Sequence, residues 1–251
     1  MKQQFADKVV LITGGGAGIG RAAALQFAGL GARVVVTGRR AGHLEALAKE
    51  HPGIDYLIAD VANPDDAQRT VSTVIEKFGA LDVLVNNAGA GAILPLAQAN
   101  AAQVAHIFAV NVIGPSLLAT AALPHLKASR GTIVNLSSTF GHKAAASLSH
   151  YAASKAAVEH MTRCWALELA ADGIRVNAVA AGPTETDFLV ERMQLTSEQA
   201  EEVKASERRQ IPLGRRGVPD EVAAWIVSLA SPSAAWITGQ VITVDGGLDA
   251  T

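Results

Sequence analysis

Tyr151 and Lys155 are the residues whose types and spacing most directly suggest chemistry. They lie four positions apart in a segment with helical patterning, so both side chains face one side of the predicted helix. A neighbouring ammonium favours a phenolate, and we therefore expect Lys155 to lower the pKa of Tyr151 toward neutral pH. The pair indicates a tyrosine that exchanges a proton with a substrate, although packing alone can produce the same spacing.

A glycine-rich turn indicates a second function. Thr13-Gly-Gly-Gly-Ala-Gly-Ile-Gly20 follows the apolar run Val9 to Ile12 and precedes the helix-forming segment Arg21 to Phe27. Glycines allow positive φ and let backbone N–H groups approach a ligand, and the start of a helix favours an anion. Because the turn joins a strand to a helix, it predicts a pyrophosphate site for a dinucleotide rather than an ordinary loop.

The end of the second predicted strand bears on the choice of dinucleotide. An Asp or Glu about 20 residues after the glycines usually holds the ribose 2′-hydroxyl of NAD(H). Gly38 stands at that place, and Arg39 and Arg40 follow it. Both guanidiniums can pair with a 2′-phosphate, so we expect NADP(H) to be favoured over NAD(H). The alternative is a pair of solvated surface arginines.

These residues are distributed along an alternation of strands and helices. The predicted strands are Val9 to Ile12, Val34 to Thr37, Ile54 to Ala59, Leu81 to Asn86, Gly131 to Leu136, Ile174 to Ala180 and Gln240 to Val244. The predicted helices are Arg21 to Phe27, His43 to Glu50, Pro64 to Phe78, Ala101 to Lys127, Tyr151 to Ala171 and Asp220 to Leu229. Continuous apolar strands separated by helices indicate an α/β protein. We predict one domain over residues 1–251, a Rossmann-like doubly wound parallel seven-stranded sheet with helices on both faces.

One segment departs from this alternation. Residues 183–213 are rich in charge and interrupt the pattern for about 30 residues, a length typical of active-site lids. We expect this cover segment to be mobile and to line the substrate pocket together with residues 90–96 and 142–150. The apolar candidates for that pocket are Leu94, Leu148, Phe188 and Met193.

Composition argues against several classes of function. The 21 Lys and Arg against 23 Asp and Glu give a net charge of −2, without the basic excess of a nucleic-acid-binding protein. The first apolar run is too short for a signal peptide or a membrane span, so we expect a cytoplasmic protein without a membrane partner. No Cys or His spacing suggests a metal site, and we expect the single cysteine, Cys164, to be a buried core residue.

Further motifs accompany the turn and the tyrosine–lysine pair. They are Asp60-Val61, Asn86-Asn87-Ala88-Gly89, Asn111, and Ser138, which stands 13 residues before Tyr151. With Thr13, Gly14, Gly18 and Gly20 of the turn, the set resembles the short-chain dehydrogenase/reductase family, in its compact branch with a Thr-Gly-x-x-x-Gly-x-Gly loop and a Tyr-x-x-x-Lys pair. The resemblance covers nearly the whole chain.

The resemblance implies a catalytic tetrad. Tyr151 would donate a proton to a carbonyl oxygen during reduction or accept one during alcohol oxidation, and Ser138 would hydrogen-bond the same oxygen. Lys155 would bind the nicotinamide ribose and lower the pKa of Tyr151. Asn111 would hold a water that links Lys155 to solvent. The implied substrate is a small ketone or secondary alcohol, and the implied assembly is a homotetramer. The small side chains of Ala152, Ala153, Ala156 and Ala157 could form a flat helix face toward a symmetry mate, or could instead be buried inside the monomer.

The same resemblance implies the cofactor contacts. They are Thr13, Gly14, Gly16, Gly18, Ile19, Gly20, Gly38, Arg39, Arg40, Asp60, Val61, Asn87, Ala88, Gly89, Tyr151, Lys155, Gly182, Thr184 and Thr186. One position departs from the family pattern, because Ala181 stands where a proline usually precedes the glycine. We expect cofactor binding to persist there with a less rigid turn.

Two other functions remain to be weighed. A non-catalytic protein that senses NADP(H) could use the same fold, although it would not need the tetrad. An isomerase or lyase on a related scaffold usually carries a larger substrate domain after the sixth strand, and the expected seventh strand leaves little chain for one. The predicted function is therefore hydride transfer between a nicotinamide and a ketone or secondary alcohol, with Tyr151 as general acid and base.

Overall fold

Seven parallel strands form one sheet in the computed structural model, which describes residues 4–251. The strands are β1 (Val9–Thr13), β2 (Arg33–Gly38), β3 (Ile54–Ile58), β4 (Val83–Asn86), β5 (Thr132–Ser138), β6 (Arg175–Ala181) and β7 (Val241–Val244). Their order is β3-β2-β1-β4-β5-β6-β7, which confirms the predicted doubly wound sheet. The order reverses between β1 and β4, and ligands of such sheets bind at the carboxyl ends of the strands near this point.

Helices connect the strands and cover both faces of the sheet. They are α1 (Gly18–Gly29), α2 (Ala41–Glu50), α3 (Pro64–Phe78), α4 (Ala101–Phe108), α5 (Gly114–Ser129), α6 (Ser149–Leu169), α7 (Phe188–Glu191), α8 (Ser197–Gln210) and α9 (Pro219–Ala230). Apart from Ala101 to Lys127, the predicted helical segments correspond to single helices within a few residues at each end. The cover segment, predicted to lack regular alternation, contains the two helices α7 and α8.

Alternate residues of the first strand enter two separate cores. Val10 and Ile12 pack with α1 and α9 on one face, whereas Val9 and Leu11 pack with α3, α5 and α6 on the other. All five residues of β1 are buried because both of its faces are covered. Double coverage explains why the strand is a continuous apolar run in the sequence.

The predicted helix from Ala101 to Lys127 is interrupted in the structure. A π-helical turn, Ala109–Ile113, separates α4 from α5 and carries Asn111. The combined run Ala101–Ser129 is long and apolar enough to cross a membrane by length and composition alone, and 44% of its most apolar window is buried. Its buried residues in α5, Leu118 and Ala122 among them, belong to the core on the α3 side of the sheet.

Cys164 corrects an expectation from the sequence. The thiol was expected in the core, but Cys164 is exposed on α6. The buried face of that helix includes Val158, Thr162 and Ala166, and Cys164 lies between two of these positions on the opposite side. To be buried, Cys164 would have to lie on the same face of α6 as these three residues, and the repeat of 3.6 residues per turn places it on the other side.

Candidate active site

The glycine turn is closed by side chains from the end of β4. The Thr13 hydroxyl accepts hydrogen bonds from the backbone N–H groups of Asn87 and Ala88, both at 3.0 Å. The Asn87 amide in turn donates to the carbonyls of Thr13 at 2.8 Å and Gly14 at 3.1 Å. A Cβ at Gly20 would lie 2.4 Å from the Asn87 amide nitrogen, which is too close, so only glycine fits at this position.

The turn forms one wall of a cleft of about 770 Å³. The cleft is also lined by most of the residues expected to contact the cofactor. These are Gly14, Gly16, Gly18, Ile19, Gly38, Arg39, Arg40, Asp60, Val61, Asn87, Ala88, Gly89, Gly182, Thr184 and Thr186, with Ser138, Tyr151 and Lys155 at the other end. Thr13 and Gly20 lie behind this lining and shape the turn.

The residues present fit a dinucleotide. Helix α1 begins at Gly18 without a side-chain cap, since Ala17 cannot provide one, and its first turn has no acidic residue. The first N–H groups of a helix without a cap suit an anion such as a pyrophosphate. A Cβ at Gly18 would approach the Thr186 side chain to 3.1 Å, and φ there is +53°. The turn therefore leaves a narrow space at the start of α1 that a side chain would fill.

Charged side chains gather at the end of the cleft beside β2. Arg39 lies 3.7 Å from Asp60, and Arg40 forms an ion pair with Glu191 of α7. A Cβ at Gly38 would meet only Leu44, at an ordinary contact distance of 3.5 Å. This end of the cleft is therefore rich in guanidiniums and has room for a side chain at Gly38.

The opposite end of the cleft brings Ser138, Tyr151 and Lys155 together. Ser138 ends β5, where its hydroxyl accepts a hydrogen bond from the Phe140 N–H at 3.3 Å and so also caps a short 3₁₀ turn. Tyr151 and Lys155 lie in the first turns of α6, and all three side chains are buried. The Lys155 ammonium donates to the Leu136 carbonyl at 2.7 Å and lies 5.9 Å from the centre of the Tyr151 ring.

The electrostatics of the pair differ from the expectation. Burial raises the pKa of the Tyr151 phenol, and hydrogen bonding to Ser138 is the opposing influence that lowers it. Burial also lowers the pKa of Lys155 to about 8. Desolvation therefore raises the pKa of Tyr151 despite the hydrogen bond with Ser138, and a lowering of that pKa by Lys155 stays a prediction.

Asn111 is placed next to these residues but does not line the cleft. Its side chain accepts from the Ala90 N–H at 2.8 Å and donates to the Ala90 carbonyl at 2.8 Å and to the Ser154 hydroxyl at 2.9 Å. Through these bonds, Asn111 in the π-helical turn connects the loop after β4 to α6. The geometry gives the Asn111 side chain a positioning role, and its link to Lys155 through a water stays a prediction.

Two separate sets of buried polar side chains, not predicted from the sequence, hold α6 against the sheet. Asn86 donates to Asn135 at 2.9 Å, and Asn135 donates to Thr162 at 2.9 Å. The Ser137 hydroxyl donates to Glu159 at 2.9 Å. Asn86 stood within a recognised motif, but its partner Asn135 lies 49 residues away in the chain, so no local pattern could have revealed the pairing.

The substrate end of the cleft also differs in part from the expectation. Phe188 and Met193 line it, whereas Leu94 and Leu148 do not. The Phe188 ring lies 6.3 Å from the Tyr151 ring, so α7 covers Tyr151. Gln103 and His106 of α4 add polar groups that were not predicted from the sequence, because no motif includes them and only the fold brings α4 to the cleft.

Ala181 and Gly182 form the turn after β6. Gly182 donates its N–H to the Val244 carbonyl at 2.9 Å, and a Cβ on it would lie 2.4 Å from that of Asp245. The turn is therefore held by close packing against the end of β7, without a proline before the glycine. In the described part of the chain, no group of three or more His, Cys, Asp or Glu side chains could hold a metal ion.

Comparisons with known proteins identify the family. A family model described as enoyl-(acyl carrier protein) reductase matches residues 14–249. A solved structure from Brucella melitensis, titled a short-chain dehydrogenase/reductase of the glucose/ribitol dehydrogenase type, superposes with a TM-score of 0.91, 36% identity and 99% coverage of both chains. The chain belongs to the short-chain dehydrogenase/reductase family. The resemblance noted from its motifs is thereby confirmed.

Curated members of the family are similar to this one over nearly their whole length. The 3-oxoacyl-[acyl-carrier-protein] reductase of Thermotoga maritima is 40% identical over 246 residues, covering 96% of this chain and 97% of that protein. The L-fucose dehydrogenase of Bos taurus is 37% identical over 250 residues, covering 99% and 92%. The protein is an oxidoreductase of the kind that acts on alcohol and carbonyl groups. The comparisons do not support the alternative of a non-catalytic NADP(H) sensor.

Proposed function

We propose that this member of the family is an NADP(H)-preferring reductase of a small ketone, or dehydrogenase of the corresponding secondary alcohol, with Tyr151 as general acid and base. One observation carries the proposal. The buried Ser138, Tyr151 and Lys155 line the same cleft as the glycine turn and the arginines that follow Gly38. A cleft of this kind can hold a dinucleotide along its length and a small substrate beside the phenol.

The residues at the catalytic end divide the proton chemistry. A reduced nicotinamide, when bound, supplies the hydride to the carbonyl carbon. Because the pKa of Tyr151 is raised, its phenol carries a proton at neutral pH and can donate it to the carbonyl oxygen. Ser138 holds the same oxygen by a hydrogen bond. With a pKa of about 8, Lys155 is largely an ammonium at neutral pH and stabilises the phenolate that remains after donation.

The preference for NADP(H) rests on the residues at the end of β2. Gly38 offers no carboxylate to hold a 2′-hydroxyl or to repel a phosphate. Arg39 and Arg40 are about half exposed and can turn toward a 2′-phosphate. Asp60 and Glu191, their ion-pair partners, compete with that phosphate for the two guanidiniums. Ala17 supplies no second basic group in the turn, so the expected preference is moderate.

A direct titration tests this preference. The affinities of NADPH and NADH are measured by fluorescence at equal ionic strength for the unmutated protein, Gly38→Asp, Gly38→Ala and Arg39→Ala. We expect the unmutated protein to bind NADPH more tightly, Arg39→Ala to erode the preference roughly tenfold, and Gly38→Asp to reverse it. Gly38→Ala is the matched control, since it adds the Cβ without the carboxylate. Tighter binding of NADH by the unmutated protein would refute the preference.

The substrate class is tested by a panel of ketones and secondary alcohols, followed through the absorbance of the reduced nicotinamide. The mixed lining of Phe188, Met193, Gln103 and His106 supports a small molecule with both apolar and polar parts. Turnover of at least one ketone or alcohol is expected. Turnover of none of them, with the cofactor bound, would refute the proposed substrate class.

The proposed assembly is a homotetramer. Ala153 and Ala156 on α6 are exposed, so this small-residue face is open to contact a symmetry mate instead of being buried within the chain. Light scattering at micromolar concentration should give a mass near four times 25.9 kDa. A monomeric mass would refute the tetramer.

A further inference from the structure

The cover segment reaches both ends of the cleft through α7. Phe188, at the start of this helix, faces Tyr151, whereas Glu191 at its end forms the ion pair with Arg40. Arg192 follows immediately, its N–H bonded to the Phe188 carbonyl at 2.9 Å, and its side chain lines the same cleft. A single turn of helix therefore connects the proton donor to the arginines that follow β2.

Arg192 is partly buried and shares its surroundings with like charges. Its pKa is lowered first by burial and then by the charges of Arg39 and Arg40, with smaller opposing effects from Glu191 and Asp60. Three guanidiniums and two carboxylates thus meet at this end of the cleft. The excess of positive charge is the arrangement that attracts an anion.

We infer that Arg192 is a third arginine of the pocket for the 2′-phosphate of NADP(H), and that Glu191 competes with that phosphate for Arg40. The inference rests on the proposed preference for NADP(H) and deepens it, because it makes the cover segment part of the cofactor-specificity site. A phosphate monoester carries a charge of about −1.5 to −2 at pH 7 and forms charge-assisted bonds with several guanidiniums at once.

The arrangement gives the two cofactors different effects on the cover segment. With NADH, Glu191 keeps Arg40, and the cover is joined to the end of β2 by that ion pair alone. With NADPH, the phosphate replaces Glu191 at Arg40 and binds Arg192 as well. The cover is then joined to the same place through the phosphate, next to the helix that carries Phe188 over Tyr151.

Two substitutions with opposite expected effects test the inference. Dissociation constants of NADPH and NADH are measured by fluorescence titration for the unmutated protein, Arg192→Gln and Glu191→Gln. Arg192→Gln should weaken the binding of NADPH about tenfold and change the affinity for NADH less than twofold. Tenfold corresponds to the loss of one charge-assisted contact whose strength is reduced by partial exposure. Glu191→Gln removes the carboxylate that competes for Arg40, so it should strengthen the binding of NADPH severalfold and leave the affinity for NADH unchanged.

A matched control separates this specific effect from general charge. Arg209→Gln removes one positive charge from the exposed surface of α8 in the same cover segment, and it should change both cofactors by less than twofold. Thermal unfolding identifies any variant that fails to fold. Because Glu191→Gln is expected to strengthen binding, a loss of folding cannot imitate that result.

The outcomes separate the inference from the proposed function. The inference is overturned if Arg192→Gln leaves the NADPH-to-NADH affinity ratio unchanged, or if it lowers both affinities equally. The ratio of the unmutated protein decides the cofactor preference independently. A protein that prefers NADH but loses only NADPH affinity in Arg192→Gln would refute the preference and still support a phosphate contact at Arg192.

Discussion

Two regions that enclose the same cleft are held in place by different kinds of interaction. The inner face of α6 is fixed to β5 by buried hydrogen bonds, such as Lys155 to the Leu136 carbonyl and Ser137 to Glu159. The cover segment is held by ion pairs such as Lys204 to Glu185 and Arg40 to Glu191, whose partners are partly exposed. Exposed pairs contribute about 0–1 kcal/mol each, whereas a buried group that loses its partner costs more.

In the proposed function, this difference separates the residues that exchange a proton from those that select the cofactor. The phenol and the ammonium require fixed positions in a water-poor site, because their pKa values depend on burial. In the proposed function the cover segment would have to admit a cofactor and a substrate, and weak pairs between exposed side chains would allow it to do so. Residue Arg216, just beyond the segment, is the exception, since it is buried and contacts both the Thr184 carbonyl and Glu207.

The largest expected effect comes from the fixed region. Tyr151→Phe removes the phenolic proton donor and little else, so turnover should fall by roughly 10³-fold, within the range of general acid catalysis. Cofactor affinity should change less than twofold. Steady-state kinetics and a fluorescence titration measure the two quantities, and retention of near-full turnover would rule out Tyr151 as the proton donor.

Lys155→Met should lose activity and gain stability at neutral pH. Burial lowers the pKa of Lys155 from 10.5 to about 8, so keeping the ammonium costs about 3 kcal/mol below pH 8. Loss of the bond to Leu136 offsets about 1 kcal/mol of this gain. The free energy of unfolding at pH 7 should therefore rise by about 2 kcal/mol, while turnover falls at least tenfold.

The pH dependence sharpens this prediction. The folded pKa of Lys155 lies below its unfolded value, so the unfolded chain binds more protons between about pH 8 and pH 10.5. The unmutated protein should gain stability from this group as pH rises through that window. Above it, Lys155→Met should be about 1 kcal/mol less stable, because only the loss of the bond to Leu136 remains. Chemical denaturation at several pH values measures the difference, and a pH-independent difference would show that Lys155 is not a buried ammonium.

Arg216→Gln tests whether one buried arginine restrains an otherwise loosely held cover. It leaves Glu207 without its ion pair and weakens the contact with the Thr184 carbonyl, so stability should fall by about 2 kcal/mol. The KM for substrate should rise about tenfold with a smaller change in kcat, because the tetrad stays in place. A fall in kcat without a change in KM would place Arg216 with the catalytic residues instead.

The smallest effects come from a matched pair of glutamates. Glu159→Gln alters a buried carboxylate that accepts from Ser137, and the free energy of unfolding should fall by about 1–2 kcal/mol. Glu201→Gln alters an exposed carboxylate of the cover that pairs with Lys204, and no measurable change in unfolding is expected. Equal effects at the two positions would contradict the contrast between the regions.

The sequence by itself determined the order of strands and helices and the residues of the candidate site that lie close together in the chain. A strand with both faces covered appears as a continuous apolar run, as in β1, and a phosphate-binding turn requires its glycines at fixed spacing. Tyr151 and Lys155 could be placed on one face of a helix because the helical repeat is local. The alternation of strands and helices then sufficed to predict the parallel sheet.

The tertiary structure decided what depends on burial and on residues distant in the chain. The raised pKa of Tyr151 and the lowered pKa of Lys155 follow from desolvation, which no spacing reveals. The ion pair between Arg40 and Glu191 joins positions 151 residues apart, and Asn111 finds its partners across a loop and a helix. Local patterns encode the direction in which a side chain points, but only the packed chain determines what it meets there.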